Sequence, residues 1–166
     1  MTPIYDAGAQ GTKVRALLWF SLLCAAGSTW AGVWLGRNFG LSPADGGVLA
    51  PLPVRLAWAV GVSAVGLAFL AGMLVYVRCY AARVAVDEAE GMLHVSRIGL
   101  FGTSTLVVPA GRVLGSEYHP GRADYGGVSV NAAWDTVRVE GRRFPLILDA
   151  QGEVLDPERA GRFLGI

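Results

Sequence analysis

The sequence predicts a membrane α+β protein: a two-helix transmembrane hairpin followed by a small, mostly antiparallel β domain with a short C-terminal helix. Three observations predict it. Two long uncharged apolar runs, residues 16–36 and 56–77, fill the first half of the chain. From residue 84 the apolar period shortens to two residues, the repeat of a strand with one face buried. Hydrophobic residues make up 53% of the chain and charged residues only 16%, yet charges return at ordinary density from Arg83 onward, so an apolar half is joined to a water-soluble half. The expected divisions are an N-terminal segment (1–15), the hairpin (16–82) and a soluble β domain (83–166) on the same side as the N-terminus.

The second run, LAWAVGVSAVGLAFLAGMLVYV, holds 22 residues without a charge. About 20 apolar residues at 1.5 Å each cross a hydrocarbon core roughly 30 Å thick. A soluble helix of that length would carry a polar stripe on its outer face, and here only Ser63 and Tyr76 offer polarity. The first run, ALLWFSLLCAAGSTWAGVWLG, follows Lys13 and Arg15. A signal peptide also places basic residues before an apolar stretch, but this run is about twice as long as a usual signal core, so an uncleaved span is expected. Residues 1–12 show no apolar period, and Asp6 with a shortage of Arg argues against a cleavable mitochondrial presequence.

Two spans joined by a short loop put both ends of the hairpin on one side. Lys13, Arg15, Arg78 and Arg83 flank the terminal side against Arg37 and Arg55 in the loop, which points the termini toward the cytoplasm or the mitochondrial matrix. Trp30, Trp34 and Trp58 cluster toward the loop, and Trp19, Tyr76 and Tyr80 toward the other boundary, as expected of rings that anchor at headgroup level. Pro51 and Pro53 are expected to keep the loop from running helically into the second span.

Neither span contains Asp, Glu, Lys, Arg or His. Ion pathways and proton relays usually reveal themselves through such residues, so a transporter is disfavoured and a bis-His haem within the spans is excluded. Small residues recur every four positions: Ser28, Gly32 and Gly36 in the first span, Ala64, Ala68 and Gly72 in the second. Such stripes let helix backbones approach closely in lipid. They either hold the hairpin to itself or dock a partner helix, and both hold if the stripes face different ways. Cys24 and Cys79 lie at different membrane depths, too far apart for a disulfide, and read as packing residues.

In the soluble half, residues 83–87, 92–98 and 103–108 read as strands, with a turn at EAEGM and another at 99–102. Residues 109–113 break the pattern, 114–118 read as a fourth strand, and HPGRADYGG (119–127) reads as a loop. Residues 136–139 and 144–148 flank EGRR as a hairpin with Gly141 at the turn, and DAQGE is a further turn. Asp156, Pro157 and Glu158 have the order of N-cap, first helical residue and early acid, predicting a helix over 157–164. No metal-ligand spacing surrounds His94 or His119, and there is no GxSxG elbow, phosphate loop or CxxC pair. No catalytic residue, cofactor or metal site is therefore expected. Arg142 and Arg143 would point to opposite faces of a strand, so at most one could join a phosphate- or lipid-binding patch.

The stretch VEGRRFPLILDAQG, with Gly141, Arg142, Arg143, Phe144, Leu148, Asp149 and Gly152, resembles the VxGRRFxxxLDxxG segment of the transmembrane protein 223 family. Phe101-Gly102 followed by Val108-Pro109 and Val113 is similar to that family's FG…VPxxxV segment. The similarity runs over roughly residues 54–154 and departs at 120–130, an apparent insertion. The resemblance implies a small two-span protein of the mitochondrial inner membrane with its β domain and both termini in the matrix. Family members are tied to building cytochrome c oxidase, and related two-span families to assembling other respiratory complexes. The first expectation is thus a non-catalytic accessory subunit of a respiratory-chain complex, cytochrome c oxidase before others, with membrane subunits and lipids as partners. A transient assembly factor or translation regulator is the alternative. A bacterial-type membrane protein with a pleckstrin-homology-like domain is a third. The net charge of +1 gives no broad basic surface for nucleic acid, and no small-molecule substrate is expected.

Overall fold

The computed structural model describes residues 1–42, 46–125 and 128–166. In chain order the elements are β1 (Thr2–Asp6), α1 (Ala9–Asn38), α2 (Leu52–Cys79), β2 (Ala81–Asp87), β3 (Met92–Ile98), β4 (Thr103–Pro109) and a 3-10 turn (Ala110–Arg112). They continue with β5 (Val113–His119), β6 (Arg122–Tyr125), β7 (Val128–Asn131), β8 (Trp134–Val139), β9 (Leu146–Asp149), β10 (Glu153–Val154) and α3 (Pro157–Leu164). The chain divides into two units: Ala16–Val75, which is the helical hairpin, and Met1–Arg15 with Tyr76–Ile166, which is the β unit.

The membrane α+β fold expected from the apolar runs is the fold observed. Both helices outlast the uncharged runs at each end, and over their most apolar windows only 22% (α1) and 11% (α2) of the residues are buried. A core helix of a soluble protein would bury its apolar face against neighbours. Here Phe20, Leu23, Trp30, Val60, Val65 and Leu67 are all more than half exposed, a surface suited to lipid. Pro51 immediately precedes α2 and Pro53 lies within its first turn. A missing N–H costs nothing there, so the prolines start the helix rather than hold it off. The loop end is tied by Arg55, whose Nη1 donates to the Gly36 carbonyl at 3.1 Å near the C-terminal end of α1.

The β unit has two main sheets. One has the order β10-β1-β2-β3-β4 and the other β5-β8-β9, all pairs antiparallel. Ile4, Tyr5, Val84, Val86, Leu93 and Val95 from the first sheet are buried, as are Val137, Leu146 and Leu148 from the second. Burying each such aliphatic side chain is worth about 1.5–3 kcal/mol. The helix α3 packs against β1 and β5, burying Ala160 and Leu164. Its ends follow the sequence signals: the Asp156 side chain accepts from the Arg159 N–H, Pro157 opens the helix, and Gly165 closes it in the left-handed region.

Three expectations are corrected. Residues 1–12 carry no visible period, yet β1 is an interior strand of the five-stranded sheet, flanked by β10 and β2. The stretch 119–127, read as a loop, contains β6, which pairs with β7 as a separate two-stranded hairpin with Arg122 opposite Asn131. Gly126 and Gly127 lie outside the described residues. Arg142, Arg143 and Phe144 precede β9 in the connection from β8 and are not on a strand, so the opposite-faces reading does not apply to them.

The β1–β2 pairing joins the strand before α1 to the strand after α2. It is reinforced by Arg83, whose Nε and Nη2 both donate to Asp6 Oδ2. Asp6 Oδ1 accepts from the Gly8 N–H at 2.8 Å. The Gly8 bond first, and then Arg83, hold the Asp6 carboxyl below its ordinary value of 3.8. A depressed carboxylate stabilises the fold above its unfolded value, and that stabilisation is lost as the pH falls through the folded one. Asp6→Asn should therefore lower the thermal midpoint of the detergent-solubilised chain by a constant amount between about pH 7 and pH 5. The gap to wild type should narrow below about pH 4. A gap that does not change with pH would show that the charge is not what matters.

Candidate functional site

The hairpin carries one close helix–helix contact. A Cβ on Gly32 would stand 2.6 Å from the Ala59 carbonyl oxygen and closer still to Ser63 Oγ. A Cβ on Gly66 would run into the Ser28 side chain, with its Cβ at 2.8 Å, and lie 3.0 Å from the Cys24 carbonyl. Gly36 faces the Ala59 side chain. Separations this small exclude any larger residue, the device by which helices associate in lipid. The stripe Ser28, Gly32, Gly36 of α1 thus meets Ala59, Ser63 and Gly66 of α2. Ala64, Ala68 and Gly72 instead lie on exposed surface of α2, and a Cβ on Gly72 would meet nothing within 4 Å. The pairing stripe of α2 was equally legible, since Ala59, Ser63 and Gly66 recur at spacings of four and three.

Of the rings expected at headgroup level, Trp19, Trp30, Trp34 and Trp58 are exposed, and Trp58 stands 6.0 Å from Phe39 in a tilted pair. Tyr76 is half-buried beside Tyr80, the centroids 5.7 Å apart. Tyr80 departs from expectation. It is wholly buried in the β unit, where it bridges Ile147, and burial pushes its phenol pKa upward. The helix ends one residue before it, so its ring belongs to the core and not to the lipid surface.

The second feature is the turn after β9. Leu148 is buried, and Asp149 Oδ1 accepts from the Gln151 N–H at 2.9 Å, a turn closed by its own side chain. The backbone of Asp149 is held by Tyr5: the phenol donates to the Asp149 carbonyl at 3.0 Å and accepts from its N–H at 2.9 Å. The Tyr5 ring then lies against Gly152, where a Cβ would be 2.5 Å from Oη and 2.7 Å from two ring carbons. Leu148, Asp149 and Gly152 therefore form the seat of the N-terminal strand. Gly141 makes the β8–β9 connection at φ +79°, and the Arg143 guanidinium sits 5.5 Å from the centroid of the Phe144 ring. Arg142 is half-buried, and burial, followed by the charge of Arg97, lowers its pKa.

Beside this seat is an open cleft of about 610 Å³ lined by Tyr5, Ser116, Asp135, Leu148 and Asp149 among others. Burial raises the Asp135 carboxyl above its ordinary range while His119 opposes the shift. Among the described residues no group of three or more His, Cys, Asp or Glu converges to hold a metal ion, and both cysteines are free thiols.

The TMEM70/TMEM186/TMEM223 protein family model matches residues 44–165, and the chain belongs to this family. The match takes in α2 and all of the β unit except β1 and the start of α1. No curated protein matches the chain. Membership fits a mitochondrial assembly or accessory role, and the two long apolar helices fit a protein of a mitochondrial membrane.

Two substitutions test the two features. Gly152→Ala should destabilise the β unit by about 1–3 kcal/mol, because the Tyr5 oxygen it meets is fixed by two hydrogen bonds and has no room to give. Unfolding followed by near-ultraviolet circular dichroism reads this. Gly32→Leu should part the helices and lower the thermal midpoint in detergent, whereas Ala68→Leu, on exposed surface, should leave it unchanged.

Proposed function

We propose that this member of the TMEM70/TMEM186/TMEM223 family is a non-catalytic assembly factor of the mitochondrial inner membrane. It holds membrane subunits of a respiratory-chain complex during their incorporation, with cytochrome c oxidase the first complex to test. Its β unit and both ends of the chain face the matrix, in keeping with the excess of Lys13, Arg15, Arg78 and Arg83 on that side. The observation that carries the reading is the match to the TMEM70/TMEM186/TMEM223 family over residues 44–165, a membership that fits a mitochondrial assembly or accessory role. The geometry of the hairpin supports it. The Gly32 and Gly66 contact uses one face of α2 and leaves Ala64, Ala68 and Gly72 exposed, a small-residue face on which a client helix could pack backbone to backbone. The apolar runs 16–36 and 56–77 supply no Asp, Glu, Lys, Arg or His for transport chemistry.

A stable accessory subunit would draw on the same features, and stoichiometry separates the two. In size-resolved mass spectrometry of native membrane complexes, the chain should migrate with small, incomplete species containing early respiratory subunits. Stoichiometric migration with a mature complex would make it a structural subunit, and migration free of every respiratory subunit would end the respiratory reading. Ala68→Trp, which blocks the open face, should reduce recovery of membrane partners severalfold while leaving the hairpin contact in place.

A further inference from the structure

Along β3 the residues Leu93, Val95 and Arg97 share one face, and the first two are 1% and 0% exposed. Arg97 therefore ends a core-facing row. It stands opposite Ala81, the first residue of β2 and the second after the end of α2. Its Nε is buried and has no hydrogen-bond partner among the described residues. Arg142 reaches the same place from the other sheet, out of the β8–β9 connection, and its electrostatic neighbours are Arg97 and Cys79, the last residue of α2. Ion pairs among the described residues go to Arg83, Arg138 and Arg159, and none goes to Arg97 or Arg142. Arg143 is exposed and turned onto the Phe144 ring.

The two guanidinium groups thus feel each other's charge, both partly withdrawn from water, and neither is paired with a carboxylate among the described residues. Neither can shed its charge, so the repulsion has no local relief. A bound anion would supply it. The planar fork of each guanidinium matches phosphate oxygens in pairs, and the position beside the last residue of a membrane-crossing helix is where lipid headgroups lie. We propose that Arg97 and Arg142 together bind the phosphate of an anionic phospholipid at the membrane surface. This inference requires only that α2 crosses a membrane, so it stands or falls separately from the respiratory assignment.

Native mass spectrometry of the full chain in detergent, titrated with phosphatidylglycerol, phosphatidylcholine or soluble glycerol phosphate, tests it. Phosphatidylglycerol should bind best, and Arg97→Gln and Arg142→Gln should each weaken it about fivefold while Arg138→Gln leaves it unchanged. Arg142→Lys keeps the charge but loses the fork, and it should retain the preference for the anionic lipid with weaker binding. Thermal midpoints measured on the same samples identify any variant that has unfolded. Unchanged phosphatidylglycerol binding in folded Arg97→Gln and Arg142→Gln would overturn the proposal. Glycerol phosphate displacing the lipid at equal concentration would overturn the membrane source in favour of a soluble phosphate ester.

Discussion

The fold depends on the seating of Tyr5. Its phenol exchanges two hydrogen bonds with the Asp149 backbone, and its ring occupies the space that only a glycine at 152 leaves free. That contact fixes β1 between β10 and β2, and β1 in turn precedes α1 by two residues. On the other limb, α2 runs into β2 across Tyr80 alone. Along the chain, the apolar stretches are helical and the strands β1 and β2 pair where charges return. Lipid demands that every backbone polar group be satisfied within a segment, which a helix does by itself. Once the chain leaves the apolar region, pairing between strands becomes available and the two limbs find each other. Buried in the β unit, the Tyr5 and Tyr80 phenols both have raised pKa values, as expected of groups whose charged form burial disfavours.

This arrangement gives the motif residues distinct mechanical roles. Leu148, Asp149 and Gly152 receive the N-terminal strand, while Gly141 reverses the chain so that β8 and β9 can pair. Arg142 and Arg143, adjacent in sequence, are separated by the connection they occupy. One is half-buried beside Arg97 and the other rests on an aromatic ring at the surface. The seat for β1 lies inside the family match and β1 itself lies outside it. The matched region thus contains a receptor whose occupant comes from the other end of the chain.

What the sequence made legible follows the strength of each local signal. The uncharged runs exposed both spans because lipid tolerates almost no charge over some 20 residues. Met92–Ile98 and Pro157–Leu164 were recoverable to the residue, the first from alternation and the second from Asp156, Pro157 and Glu158. The strand at Thr2–Asp6 was not, because TPIYD contains a proline and an acid and only Ile4 and Tyr5 are buried. Its partner β2 is distant in sequence, so nothing local announces the pairing. β6 and β7 failed for a related reason: four residues each, in a stretch rich in glycine and charge, give too short a pattern to read.

The hairpin contact shows that small-residue spacing marks several surfaces without saying which of them pairs within the hairpin. Helical spacing identifies every face lined by small residues, but it does not rank them, because in lipid a small residue facing a partner and one facing acyl chains have the same hydropathy. On α2 two such rows exist. Ala59, Ser63 and Gly66 meet α1, where the Ser63 hydroxyl lies against Gly32. Ala64, Ala68 and Gly72 do not. A second small-residue row costs a single hairpin something, since each position could hold a larger side chain and gain dispersion contacts. The proposed client helix, packing as closely as α1 does, would account for its presence on the exposed side. That is the physical content of the proposed assembly role: one face of α2 holds the protein's own helix, and the other would receive a client helix that comes and goes.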